Sequence, residues 1–303
     1  MTTAVPALLL AWTLDLLFGE PPNRWHAVAA LGRVLGPVGR RISTWRPGPA
    51  FAAGAMAWLA LAALIGGAAW WVESLLASSL PALGAAVLLG LLLKPCFAWR
   101  MLRDEVAAVE TALEAECREA ARLRLSRLVS RDVRQADEAA IRQTAIETLA
   151  ENLNDSVIAP LAWYAVFGLP GAAVYRLANT ADAMWGYRGR YEWAGKWAAR
   201  ADDVLSWLPA RITAVLLLGV GPGWRALARE ARHTPSPNGG WPMGAMALHL
   251  GVRLAKPGVY LLNGAAPAPD AIAMRRALSR AGAAAWAAMG WTVAALVAKG
   301  WLT

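Results

Sequence analysis

The 303-residue chain is 57% hydrophobic and only 17% charged, with a mean hydropathy of +0.37; this balance excludes an ordinary soluble globular protein and points to a membrane class. The net charge of +9 could suit nucleic acid, but the arginines are scattered beside apolar runs and no nucleic-acid-binding motif is present. Two isolated cysteines and three histidines without ligand spacing exclude a disulfide framework and a thiolate metal site.

In chain order, Pro6 to Gly19 predicts a short helix interrupted by Asp15. It lacks the basic n-region and clear small-residue cleavage site of a signal peptide and is expected to be retained. Gly19-Glu20-Pro21-Pro22 ends it, since tandem prolines cannot sit inside a helix, and a basic loop holding His26 follows. Phe51 to Val72 carries no charge and Ser78 to Ala98 only Lys94, so each can cross a hydrocarbon core of about 30 Å at about 1.5 Å per residue. A third such run lies at Ala281 to Trp301, with Trp286, Trp291 and Trp301 suited to the interfaces and Lys299 able to snorkel. Arg24, Arg33, Arg40, Arg41 and Arg46, and then Arg100, Arg103, Arg118, Arg122, Arg124 and Arg127, put the loops that follow the Pro6 to Gly19 and Ser78 to Ala98 segments in the cytoplasm and both termini outside.

From Trp99 to Leu128 the residues are good helix formers, with Leu102, Val106, Val109, Leu113 and Cys117 at helical spacing. Ser130-Arg131-Asp132 reads as a break and Asp137 as an N-cap for the next helix. Two further apolar segments, Val157 to Ala178 and Leu205 to Gly221, are interrupted by Pro160, Gly168, Pro170 and Gly171, and by Pro209 and Arg211. Such interruptions kink or break a helix, and the five cations between Asn179 and Asp203 favour re-entry over crossing. The expected fold is all-α: a polytopic integral membrane protein with four to six membrane segments, cytoplasmic amphipathic helices and re-entrant segments. A single membrane domain is expected over 1–303, with a cytoplasmic helical insertion at about 99–156 and polar loops at about 179–203 and 223–280.

The stretch that draws chemical attention is 147–155. Glu147, Glu151 and Asp155 are four residues apart, and an i, i+4 step rotates only about 40° around an α-helix, so they form one stripe. A charge run of this kind is more often a solvated helix face, because Ile141, Ala145, Ile146, Leu149 and Leu153 supply a separate apolar arc. A second polar cluster holds Asn179 and Asp182, then Lys196, Arg200, Asp202 and Asp203. Acidic groups with adjacent cations suit Mg²⁺ and phosphate-bearing ligands, although the same residues can simply pair along a helix. No P-loop or dinucleotide fingerprint is present: Gly189 and Gly195-Lys196 are wrongly spaced and Trp197 stands where Ser or Thr is required. Asn238-Gly239-Gly240 reads as a turn that could also bring backbone N–H groups to an anion.

Taken together, Glu147-Thr148-Leu149-Ala150-Glu151-Asn152, Asn179-Thr180-Ala181-Asp182-Ala183-Met184-Trp185-Gly186-Tyr187, Gly195-Lys196 with Asp202-Asp203, Pro237-Asn238-Gly239-Gly240-Trp241-Pro242-Met243 and Lys256-Pro257-Gly258-Val259-Tyr260 resemble the CobD/CbiB family of cobalamin biosynthesis. The likeness runs in one order from about Leu14 to Tyr260; each motif is weak alone and the series is specific. Glu20 stands where the family usually has Asp, the proline that commonly follows the histidine is absent after His26, and Gly240 stands where Ala is common. These departures touch the first loop and leave the central carboxylates intact.

The resemblance implies an integral membrane adenosylcobinamide-phosphate synthase. Such an enzyme joins a carboxylate of adenosylcobyric acid to the amine of aminopropanol phosphate or a related amino alcohol, using ATP and Mg²⁺. Under that reading Glu147, Glu151 and Asp155 are catalytic, and Asp182, Asp202 and Asp203 are metal ligands. Asn152, Asn179, Arg188, Lys196, Arg200 and Asn238 bind substrate. The implied setting is the cell inner membrane with the site facing the cytoplasm, the lipid bilayer and other cobalamin-pathway enzymes as neighbours, homo-oligomers among the possible assemblies, and no nucleic acid. Two other readings compete: a non-catalytic membrane sensor on the same scaffold, and a corrinoid transporter built on broken helices.

Overall fold

The computed structural model describes residues 3–22, 24, 26–187, 189–221 and 223–302, apart from the side chain of Leu302. Its helices are α1 (Ala4–Phe18), α2 (Ala27–Ile42), α3 (Pro47–Ser79), α4 (Ala82–Leu93), α5 (Trp99–Glu114), α6 (Arg118–Leu125), α7 (Glu138–Leu153), α8 (Ala159–Trp185), α9 (Lys196–Leu218), α10 (Gly223–Glu230), α11 (Gly240–Leu250) and α12 (Ala271–Leu302). One antiparallel hairpin, β1 (Leu254–Lys256) with β2 (Tyr260–Leu262), accompanies them. The fold is therefore all-α in class. Four helical runs, Pro47–Ser79, Ala82–Glu114, Glu138–Trp185 and Ala271–Trp301, are long and apolar enough to cross a membrane, and Ala4–Phe18 is a shorter apolar helix. On α3, Met56, Leu64, Trp70 and Trp71 face outward, a surface that lipid covers and water would not favour.

The chain forms two compact units: 1–98 with 159–206 and 289–303, and 99–158 with 207–288. In the first, α8 packs on α2, α3 and α4, and α1 lies along α4. Leu35, Trp58, Leu177 and Trp185 centre its core, with the Trp185 indole donating to the Leu35 carbonyl at 3.1 Å. The expected span at Ser78 to Ala98 is present as part of the apolar run Ala82–Glu114, with boundaries set by prolines. Leu80-Pro81 separates α3 from α4, and α4 stops at Leu93, where Pro95 can no longer donate to the helix.

The expected break near Gly168 is present. Gly168 has φ 67°, a left-handed conformation that costs a residue without Cβ nothing. The two half-helices leave unpaired backbone groups at the break, and two charged side chains satisfy them: Glu73 Oε2 accepts from Leu169 N at 3.0 Å, and Lys299 Nζ donates to the Val166 carbonyl at 2.8 Å. A polar network occupies the same unit. Asp15 is fully buried, Lys94 Nζ lies 3.0 Å from Asp15 Oδ1 and 2.5 Å from Glu20 Oε1, and His26 Nε2 lies 2.6 Å from Glu20 Oε2. Asp15 and Lys94, which interrupt the apolar runs Pro6 to Gly19 and Ser78 to Ala98, thus neutralise one another.

In the second unit α7 is central, packed against α5, α6, α11 and β1. Its N-cap is Asp137, whose Oδ1 accepts from Ala140 N at 2.8 Å, as the sequence predicts. Ile141, Ala145, Ile146, Leu149, Ala150 and Leu153 are fully buried, and each large aliphatic among them contributes about 1.5–3 kcal/mol of transfer free energy. The single helix expected over Trp99 to Leu128 is two, because Glu116 takes φ 56° between α5 and α6. Below α7 the helix widens into one π turn, Asn154–Ile158.

Candidate functional site

One face of α7 carries Ala140, Gln143, Thr144, Glu147, Thr148, Glu151 and Asn152, positions three and four apart that a 3.6-residue turn brings into line. Its lower half lines a polar pocket of about 160 Å³ shared with Arg131, Lys256, Tyr260 and the 128–130 segment. Glu147 is 3% exposed, so at this position the stripe is not a solvated face. Glu147 Oε2 accepts from Arg131 Nη2 at 2.5 Å, and the same nitrogen donates to Thr144 Oγ1 at 2.6 Å. Glu147 Oε1 is buried, without a partner in hydrogen-bonding geometry.

The hairpin supplies the opposing wall. Pro257 and Gly258 make its turn, with Gly258 at φ 72° and Val259 N donating to the Lys256 carbonyl at 2.9 Å. Lys256 and Tyr260 are register partners, and directly opposed residues of an antiparallel pair share a face. The Lys256-Pro257-Gly258-Val259-Tyr260 motif is therefore a device for presenting an ammonium and a phenol side by side. Burial, with the Glu147 and Glu151 carboxylates beside it, holds the Tyr260 phenol far above its ordinary range, which keeps it a neutral donor. The Asn238-Gly239 turn closes on the same pocket: a Cβ added at Gly239 would stand 3.4 Å from Glu151 Oε1.

Of the residues expected in the site, Glu147, Glu151 and Asn152 line this pocket. Asp155 does not: it lies in the π turn that follows α7 and accepts from Asn154 Nδ2 at 2.7 Å. Asn238, expected to bind substrate, is buried with its amide oxygen accepting from Arg211 Nη1 at 2.7 Å. Arg211 itself lies against the Trp207 and Trp241 rings, 4.6 and 4.7 Å from their centroids. Asn238 thus shapes the turn beside Glu151.

The remaining candidates belong to the first unit. Asn179 and Asp182 occupy the last two turns of α8, and Lys196, Arg200, Asp202 and Asp203 the first turns of α9. Lys196 lies 4.4 Å from the Trp193 ring centroid and Arg200 is exposed. Burial raises the Asp203 carboxyl above its usual range and Arg200 offsets part of that rise. Asp202 and Asp203 are consecutive on a helix, so their side chains leave it about 100° apart. Gly195 is tight for packing reasons, since an added Cβ would stand 1.8 Å from the Trp185 carbonyl oxygen. Arg188 lies outside the described residues.

Among the described residues no three His, Cys, Asp or Glu side chains converge as a metal-holding cluster. Mg²⁺, however, is commonly held by one or two carboxylates with substrate phosphates completing its shell. Glu147, whose Oε1 meets no partner in regular hydrogen-bonding geometry and has the Tyr260 phenol beside it, and the adjacent Glu151 fit that donor set. Arg131, Lys256 and Tyr260 were not singled out from the sequence as site residues; the spacing of the last two around Pro257-Gly258 is the signal that points to a paired presentation.

A family model described as "CobD/Cbib protein" matches residues 8–289. The "Probable cobalamin biosynthesis protein CobD" of Pyrococcus furiosus is 41% identical over 272 residues, 89% of this chain and 91% of the relative. The "Cobalamin biosynthesis protein CobD" of Chromobacterium violaceum is 40% identical over 308 residues, 96% of each chain, and that of Dehalococcoides mccartyi is 36% identical over 263 residues, 84% of this chain and 85% of the relative. No solved structure matches this chain.

Proposed function

The chain belongs to the CobD/CbiB family, and we propose that within cobalamin biosynthesis it is a membrane-bound, ATP-dependent amide ligase joining adenosylcobyric acid to aminopropanol phosphate or a related amino alcohol, with its site on the cytoplasmic side of the cell inner membrane. The observation that carries this reading is the pocket of about 160 Å³ that sets Glu147 and Glu151 against Arg131, Lys256 and the protonated Tyr260. An amino-alcohol phosphate is small and carries both an ammonium and a phosphate. A small pocket with both signs of charge is its electrostatic counterpart.

A carboxylate and an amine do not condense in water unaided. Transfer of the terminal phosphoryl group of ATP to the corrinoid carboxylate gives an acyl phosphate and ADP; attack by the neutral amine then forms the amide and expels inorganic phosphate. Lys256 and Arg131 supply fixed positive charge for phosphoryl oxygens, and the Tyr260 phenol supplies a hydrogen bond. Glu151, within the same pocket, takes the proton that the ammonium must lose before attack. Glu147, together with substrate phosphate oxygens, would hold Mg²⁺, which would supply further charge neutralisation.

The test is direct. Purified protein in detergent or lipid is incubated with adenosylcobyric acid, Mg·ATP and aminopropanol phosphate, and the products are read by mass spectrometry. The ligase reading expects the amide together with stoichiometric ADP and phosphate. No amide from any amino alcohol or its phosphate, with ATP left intact, would contradict it.

A further inference from the structure

Beside the small pocket, the second unit holds a wider cleft of about 770 Å³. The two are arranged in series along one helix face: Ala140, Gln143 and Thr144 line the cleft, whereas Glu147, Thr148 and Glu151 line the pocket. The hairpin divides them by strand alternation. Ala255 and Leu261, register partners, line the cleft; Lys256 and Tyr260, the next pair, line the pocket. Successive residues of a strand point to opposite faces, so one hairpin is a partition with a different chemistry on each side. Arg131 belongs to both cavities.

We infer that the wide cleft seats the large, carboxylate-bearing co-substrate, with Arg131 holding its reacting carboxylate at the passage into the pocket. This rests on the ligase reading and deepens it. Joining two substrates requires their reacting atoms to approach within about 3–3.5 Å, so the two seats must adjoin. A cleft of this size falls within the roughly 300–1,000 Å³ typical of sites for sizeable organic ligands, and the neighbouring pocket is too small for a macrocycle.

The lining suits a broad body with polar edges. Val133, Ala136, Ala140 and Leu261 give apolar surface, and Gln143 and Arg253 give polar groups. Gln143, from α7, presents an amide on the cleft wall, a group with both donors and acceptors that suits the carboxamides at the rim of a corrinoid. At the junction, both bonds that Arg131 makes among the described residues use Nη2. Its other guanidinium donors remain for a ligand carboxylate.

Equilibrium dialysis of adenosylcobyric acid against the detergent-purified full chain, without ATP or amine, tests the assignment. Ala140→Phe fills the cleft from α7, and Leu261→Glu, at an exposed position, sets a negative charge against an acidic ligand without disturbing the core. Both should weaken corrinoid binding about tenfold or more while leaving the KM for aminopropanol phosphate within about twofold of wild type. If Ala140→Phe fails to insert, Leu261→Glu decides alone. Corrinoid binding at wild-type strength in the folded variants, or no binding by the wild type, overturns the assignment. Amide formation by a wild type whose corrinoid affinity ignores the cleft variants would refute the cleft and keep the ligase. Cleft-dependent corrinoid binding without amide formation would do the reverse.

Discussion

Arg131 Nη2 and Glu147 Oε2, 2.5 Å apart, join the segment preceding α7 to the buried carboxylate of its central turn. The Glu147 side chain is 4% exposed and that of Arg131 22%, so the pair is largely removed from water. Removing one member of such a pair leaves an uncompensated buried charge, whereas removing both does not. Arg131→Met should therefore cost about 3–5 kcal/mol and lower the unfolding temperature in detergent. Adding Glu147→Gln to Arg131→Met should restore most of the stability and none of the amide formation. Additive losses in this double-mutant cycle would mean that the pair is not coupled.

Lys256→Ala should raise the KM for the amino-alcohol phosphate about tenfold or more with a smaller effect on kcat, as expected for loss of a phosphate-binding charge. Tyr260→Phe removes a hydrogen-bond donor and should lower turnover. Because burial and two carboxylates raise the Tyr260 phenol above its ordinary range, it stays protonated across the working range. The pH–rate profile of Tyr260→Phe should therefore keep the wild-type shape between about pH 6 and 9. The same upward shift means that Tyr260 leaves stability unaffected below about pH 10, and that stability falls as pH rises beyond it, where the unfolded chain ionises first. Loss of an alkaline limb in Tyr260→Phe would assign that limb to the phenol and contradict the argument.

Glu73→Ala should destabilise the first unit by about 1–3 kcal/mol, the cost of leaving the Leu169 N–H unsatisfied at the Gly168 break. Gly168→Ala should cost at least as much, since its φ of 67° disfavours a Cβ that would stand 2.7 Å from the Glu73 carboxylate oxygens. Thermal unfolding of both variants by fluorescence-detected size exclusion checks this. Wild-type stability in both would remove the break from the packing account.

Cys117 is exposed and Cys96 buried, so the native chain carries one ready reporter. With the second unit on the cytoplasmic side, a membrane-impermeant maleimide should leave Cys117 unlabelled in intact cells and modify it once the membrane is opened. Labelling of Cys117 in intact cells would place that unit outside.

Much of this arrangement was legible in the sequence. Asp137 marks the start of α7, the four-residue spacing aligns Glu147 with Glu151, and Gly168 with Pro170 marks a break. Local rules suffice there, because caps, helical period and backbone freedom act over a few residues. The pocket lining ends at Asn152, short of Asp155, which lies in a π turn that begins at Asn154, and no single residue type announces such a turn. Arg131 and Lys256 could not be chosen over the chain's other cations: what distinguishes them is a shared wall with α7, formed by tertiary packing between stretches more than a hundred residues apart. The Pro257-Gly258 turn was readable as a turn, but its consequence, Lys256 beside Tyr260, depends on the hairpin register.

The most direct test of the site is the rate of amide formation by Glu151→Gln at saturating ATP and both substrates, in protein shown to be inserted and folded. Gln preserves the volume and helix propensity of Glu, so a role confined to the helix surface predicts an unchanged rate and a stability change within about 0.5 kcal/mol. A carboxylate that accepts the amine proton, or helps hold the metal, predicts a fall of roughly a hundredfold or more. Turnover near the wild-type value would take Glu151 out of the active site and contradict the account.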